Sequence, residues 1–470
     1  MAGLTIIKKV DHNVRLKQTV FLLALSLSAY AVAGKIDKSE ANKLGRELTP
    51  MGANPAASAD GMIPAWSGKW IGLPPGLTYG GSGQPYPDPY KDEKPLFEIT
   101  AANYEKHRDR LTDGMVALFK RYPDYRIKVY PSHRDFRYHA EIEARTKWNV
   151  GNAEMVNGID GLQKVTGGAS FPIPQDGAEV IWNARTNHPM WVADSLYDEI
   201  SVYADGTQQL YRSKLLIESP YGYEHHPVGK TAEEIGINAA LVFYEVLEPK
   251  RKKGEMVIVH EPLDQVLNER KAWVYIPGAQ RVKRAPNAGY DTPVGPGGLL
   301  TADDNMGFNG AMDRYDWKLI GKKEMFIPYH NYAFDSADVP YKKLLTPKHV
   351  NADYQRFELH RVWIVEANLK QGQRHSYAKR RFYIDEDSWM FVATDAYDGR
   401  GDLWRVGLQH TIYDYYLRGY LVRAQVNYDL LAGAYIASRL VNETRPTNYA
   451  MEPKGEGFYS PDTLRKKGGR

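Results

Sequence analysis

The chain has 470 residues, among them 33 tyrosines, 10 tryptophans and no cysteine, with 61 Lys and Arg against 57 Asp and Glu. The missing thiol excludes disulfides, cysteine metal centres, thiolate nucleophiles and a lipid-modified cysteine anchor. The near-neutral charge gives no support to nucleic acid as a partner. A hydrophobic content of 43% with 41 Gly and 28 Pro indicates a folded, strand- and turn-rich protein whose core is large enough to stand without cross-links.

In chain order, residues 1–33 are the first predicted element. Lys8, Lys9, Arg15 and Lys17 precede the apolar run "VFLLALSLSAYAVA", which ends in the small-residue pattern Ala31-Val32-Ala33. This predicts a secretory signal peptide cleaved near Ala33, a mature chain in the bacterial periplasm and no stable membrane span, because the run is too short and no later segment reaches 18 apolar residues. Residues 34–99 are expected to hold a short helix behind Ser39 and then an extended Gly/Pro/Tyr arm lying on the body. The segment "TAANYEKHRDRLTDGMVALFKRY" predicts one helix over 100–122, capped by Thr100 and stopped by Pro123. "DGAEVIWNART" predicts a shorter helix between Pro174 and Pro189.

From Trp191 the pattern changes to β-branched and aromatic runs separated by turns. Asp205-Gly206 is a strong hairpin signal. "ALVFYEVLEPKRKKGEMVIVHEP" and "KAWVYIPGAQRVKRAP" read as strand pairs, and "RYDWKLIGKKEMFIPYH" reads as another. Residues 356–416 read as a meander turning at "KQGQ", "DEDS" and "DGRGD". Residues 100–450 are therefore expected to form a single mainly β (α+β) domain, a large twisted antiparallel sheet in a half-open barrel wrapped over a few helices. Residues 451–470 read as a loose polar tail.

Metalloprotease, serine-hydrolase, P-loop and dinucleotide-binding motifs do not occur, so no catalytic residue, metal or cofactor is assigned. His225-His226 reads as a surface loop and His260 and His360 as hydrogen-bonded sheet histidines. "TADDNMGFNG" starts like a calcium loop, but Arg314 stands where the bidentate Glu belongs. The acids Asp385, Glu386 and Asp387 read as turn formers, as do Asp395, Asp398 and Asp402. A hydrolase built on the 395–402 carboxylates remains the enzymatic alternative. Arg281, Lys283 and Arg380 are either a solvated sheet face or contacts to a lipid headgroup or acidic partner. The aromatic and aliphatic side chains Trp273, Tyr275, Trp363, Phe382, Ile384 and Phe391 either lie under a helix or line an apolar cavity.

Four long stretches carry a resemblance: "ANKLGRELTPMGANPAASADGMIPAWSGKW", "RKAWVYIPGAQRVKRAPN", "ELHRVWIVEANLKQGQRHSYAKRRFYIDEDSW" and "YDGRGDLWRV". Together they resemble a bacterial family, domain of unknown function 1329, whose members are often labelled outer-membrane lipoprotein-sorting-like. The resemblance runs from about Ser39 to Arg465. It implies a fold similar to the Lol-type carriers, with a hydrophobic cavity under a lid of helices. It also implies envelope transport beside an outer-membrane β-barrel and a resistance-nodulation-division (RND) exporter. The expected function is a non-catalytic carrier for a lipid, lipoprotein or other hydrophobic compound. A scaffold that docks on an outer-membrane barrel through residues 50–95 is the further alternative.

Overall fold

The structure is a computed structural model that describes residues 36–469 apart from 188, 224, 237, 266 and 286–289. The predicted signal peptide lies outside the described residues. One 15-stranded sheet dominates. Its strands are β1 (Phe97–Thr100), β2 (Arg126–Val129), β3 (Val192–Val202), β4 (Gln208–Glu218), β5 (Asn238–Glu248), β6 (Met256–Pro262), β7 (Lys271–Ile276), β8 (Arg281–Arg284), β9 (Tyr315–Pro328), β10 (Phe357–Leu369), β11 (Lys379–Asp385), β12 (Phe391–Tyr397), β13 (Leu403–Asp414), β14 (Gly419–Asp429) and β15 (Ala434–Asn448). The spatial order is β1-β2-β10-β11-β12-β13-β14-β15-β3-β4-β5-β6-β7-β8, with β9 paired along β10. All pairings are antiparallel except the single β2–β10 contact at Val129 and Phe357. The two ends do not pair, so the sheet stays open.

The turn chemistry explains much of this order. In the β3–β4 hairpin Gly206 takes φ 86, a left-handed conformation that glycine adopts without strain, and Asp205 Oδ1 accepts from Thr207 N. The "DGRGD" turn is closed in the same way, by Asp398 accepting from Arg400 N and Asp402 N. The segment read as a strand pair at 314–330 is instead one 14-residue strand, β9. Gly321 does not reverse the chain there but marks a bulge, where the register against β10 slips between Leu319 and Gly321.

Among the described residues, four helices of eight or more residues accompany the sheet: α1 (Asp113–Arg121), α2 (Ala140–Asn149), α3 (Gly177–Thr186) and α4 (Pro461–Gly468). The helix expected over 100–122 is broken in two. A 3₁₀ segment covers Tyr104–Arg110, and α1 restarts behind Thr112, whose hydroxyl accepts from Met115 N. Thr112 followed by an acidic first turn competes successfully as a second N-cap. Gly114 then lets α1 press on the sheet, since a Cβ there would lie 2.2 Å from Asp395 Oδ1 and 2.4 Å from Val406. The fully buried Met115, Leu118 and Phe119 fix that contact.

Backbone groups of residues 51–72 strap the arm to the body. Trp389 Nε1 donates to Met51 O, Arg134 donates to Asn54 O and Pro64 O, and Gly72 N donates to Tyr413 Oη. The C-terminal residues differ from the loose tail expected. Helix α4 packs over β6–β8 with Leu464 fully buried, and Tyr275 Oη donates to Gly468 O at 2.8 Å. Leu464→Ala should cost about 2 kcal/mol by urea denaturation, at the low end for a buried leucine because α4 is peripheral. A cost near zero would show that α4 does not hold this face.

Candidate ligand cavity

Strands β4, β5 and β6 have two different faces. On one, Leu216, Leu241, Phe243, Met256 and Ile258 form a small core with Tyr275, Tyr459 and Leu464, closed by α4. On the other, Ile217 pairs with Val242 and Val242 with Val259. These three side chains line a half-open cavity of about 280 Å³. The opposite wall comes from Phe391 on β12 and from Leu421 and Val422 on β14. Strands several places apart in the sheet thus face one space, which requires the sheet to curl around it.

Helix α3 supplies the third wall. Asp176 caps it by accepting from Glu179 N. Its first residue, Gly177, is pressed against Val365 and the backbone of Lys318 and Leu319, where a Cβ would lie 3.0–3.1 Å away. Anchored at that end on β9 and β10, the helix delivers Trp182, Arg185 and Thr186 to the cavity. Trp182 Nε1 donates to Ile159 O, so the indole is satisfied and presents its ring.

The floor is the segment 305–309. Phe308 packs edge-on against Trp317 and Phe382, and Met306 N donates to Gln425 Oε1. The segment is tethered from below by Arg380, whose guanidinium reaches Asp303 and Asp304, each at 2.8 Å. Burial opposes the charge on Arg380, but the two carboxylates more than offset it and raise its pKa. Tyr377 Oη and Thr301 N also donate to Asp304. The acids of "TADDNM" therefore clasp an arginine.

The sequence-derived site residues part company here. Phe391 lines the cavity. Phe382 shares that side of the sheet but is covered by Phe308, Trp317 and Phe391, and Ile384 is fully buried in the main core. Trp363 stacks on Trp389 with Lys322 over its ring at 4.6 Å. Trp273 and Tyr275 lie on the face closed by α4, away from the cavity. Arg281 and Lys283 are exposed on the edge strand β8, as a solvated sheet edge would be. Arg380 is fully buried and so cannot meet a headgroup at the surface.

The acidic cluster does not converge. Asp395 is buried under α1, accepting from Gly114 N and Tyr383 Oη, each at 3.0 Å, whereas Asp398 and Asp402 stay in their hairpin turn with Arg400. The other acidic turn is buried: Asp385 accepts from Ser388 N and Oγ, Glu386 holds Lys322, and Asp387 is gripped through two oxygens by Arg134. His360, Asp385 and Asp387 present ligand atoms within 4.8 Å of one another, but the Arg134 clamp already balances the Asp387 charge. His360 bonds Glu358 and His260 bonds Tyr459 O, the hydrogen-bonded sheet roles expected of them.

Missed by the sequence reading are Arg185 and Arg439, two cations in the cavity wall. Arg185 is half-buried, lies over Trp182 at 4.4 Å and faces Phe308 at 5.9 Å. Desolvation lowers its pKa to about 10 against the pull of Glu261 and Asp160. Nothing in "WNARTNHP" distinguishes it from a surface arginine at a helix C-terminus.

The profile of one protein family, described as a protein of unknown function (DUF1329), matches residues 98–465. The chain belongs to the DUF1329 family. A full-length relative is an uncharacterized Pseudomonas aeruginosa protein, 41% identical over 96% of this chain and 98% of its own length. Among solved structures, a DUF1329 family protein from Desulfovibrio piger aligns over 58% of this chain and 92% of that one, at 14% identity and TM-score 0.39. A putative outer membrane lipoprotein-sorting protein domain from Vibrio parahaemolyticus aligns over 62% and 98%, at 13% and 0.42. A LolA superfamily protein from Nitrosomonas europaea aligns over 62% and 100%, at 12% and 0.37.

Proposed function

We propose that this DUF1329 protein is a non-catalytic binding or carrier protein of the cell envelope that holds a hydrophobic compound between its curled sheet and α3. The observation that carries this reading is the cavity itself, a mostly apolar recess whose walls come from six strands, a helix and a tethered segment and which opens to solvent. Burying 100 Å² of apolar ligand surface there is worth about 2.5 kcal/mol. The volume is near the low end of small-molecule sites, about 300–1,000 Å³, which suits one hydrocarbon chain better than two.

A periplasmic location is supported by the N-terminal basic residues, apolar run and Ala31-Val32-Ala33. The family resemblance supports transfer of the compound between an exporter and an outer-membrane β-barrel, and it is the sole support for those two partners.

Binding of the neutral probe N-phenylnaphthylamine, read by its fluorescence gain, tests the cavity directly. The wild-type chain should bind it. Ala240→Trp should abolish binding while leaving the far-UV circular dichroism unchanged, because Ala240 lines the cavity on the face of Val242. Equal binding by both proteins would place the probe elsewhere and remove the basis for the carrier reading.

A further inference from the structure

The cavity is apolar along most of its wall but carries an unequal set of charges. Three arginines, Arg185, Arg270 and Arg439, line it with a single carboxylate, Glu261. Arg270 is matched, lying 2.6 Å from Glu261. The other two are not: among the described residues neither Arg185 nor Arg439 has a carboxylate within ion-pair distance.

An unmatched guanidinium in a desolvated wall costs free energy unless something completes it. Arg185 is held in place by ring stacking on Trp182, which orients its donors and satisfies none of them. Arg439 is placed by strain: its backbone is left-handed at φ 64, and the pairing of β15 with β3 slips between Ala437 and Leu440 around it. Such conformations cost about 1–3 kcal/mol in a non-glycine residue and concentrate at ligand sites. Glu199, whose charge Arg439 favours, lies beyond ion-pair reach of it and is itself pushed up to about 7 by burial.

We propose that the occupant is a single-tailed amphiphile with an oxyacid head, a carboxylate or a phosphate monoester. Its head rests on Arg185 and its tail runs along Ile217, Val242 and Val259. The planar fork of donors on Arg185 suits two oxygens of such a head, and Arg439 adds a second positive charge to the same enclosed space. The inference rests on the carrier reading and adds the ligand class to it.

The test compares palmitate, hexadecyl phosphate and hexadecanol, each below its critical micelle concentration, by displacement of N-phenylnaphthylamine and by native mass spectrometry. The wild-type protein should bind at least one of the two acids about tenfold or more tighter than the alcohol, and which acid is preferred identifies the head. Arg185→Met should bind acid and alcohol alike, with alcohol affinity retained. Equal affinity for all three ligands on the wild-type chain would overturn the head-group assignment and leave the carrier reading intact. No binding of any of them would overturn both. The ligand comparison on the wild-type protein does not depend on the variant folding.

Discussion

Arg380→Ala should destabilise the protein by roughly 3–5 kcal/mol in urea denaturation, the range for removing one partner of a buried ion pair. The guanidinium is fully buried, donates to Asp303 and Asp304 at 2.8 Å each, and faces the rings of Phe308, Tyr377 and Phe382 at 5.1–5.2 Å. Its loss would leave two buried carboxylates. His375 lies 3.2 Å from Asp303 and Arg405 lies 3.8 Å from Asp304, so compensation is partial, and Arg405 already serves Asp429 at 3.1 Å. The same change should weaken ligand binding, because these acids begin the 305–309 floor. Arg380→Met combined with Asp303→Asn and Asp304→Asn should recover much of the stability, since neutralising a whole cluster avoids the uncompensated charge. A cost below about 1 kcal/mol for Arg380→Ala would mean that the acids find other partners and the tether is not what fixes the floor.

This cluster also shows where sequence reading stops. Period-two patterning and turn residues were enough to locate the hairpin at Asp205-Gly206, the meander of β10–β13 and the open antiparallel sheet. Those features are written locally, in side-chain alternation and in backbone conformations that only a few residues tolerate. Patterning also grouped Trp273 with Tyr275 on one face and Phe382 with Ile384 on another. It could not say which face of each strand is concave, because that depends on curl accumulated over many strands. The face of Trp273 and Tyr275 is closed by α4, a helix formed by residues that read as a polar tail and that holds on through Leu464 and a backbone oxygen. Helix α2 was missed for a related reason. It is anchored largely by polar bonds, with Asn149 Nδ2 donating to Thr166 O and Ala169 O, so its apolar periodicity is weak. Charge was the least legible property: "KRR" holds Arg380, buried in the floor tether, beside Arg381, half-buried in contact with Asp113 and Glu366. Adjacent strand residues face opposite ways, and nothing local marks which of them enters the protein.

Asp395 offers the second large effect, and its sign is opposite to that of most structural carboxylates. Burial pushes its pKa up to about 7, against the bonds from Tyr383 Oη and Gly114 N, with nearby Asp113 adding to the rise and Arg381 opposing it. The unfolded chain releases this proton near pH 4, while the folded chain keeps it until about pH 7. Across that window the unfolded state binds fewer protons, so the contribution of Asp395 to stability falls as pH rises and levels off above pH 7. The full penalty is about 4 kcal/mol at 1.36 kcal/mol per pH unit, an upper value if the helix relaxes around the charge. Asp395→Asn keeps an acceptor for Gly114 N and cannot ionise. The variant should match the wild type near pH 4 and be the more stable of the two at pH 8, with the gap opening between those values in urea denaturation. Reading the difference between two proteins cancels the other titrating groups, including Glu199, which has a similar pKa of about 7. A gap independent of pH would show that Asp395 is ionised in the folded protein. It would then be a charge held by the N-terminus of α1, and the close seat of Gly114 on the sheet would owe its stability to that charge.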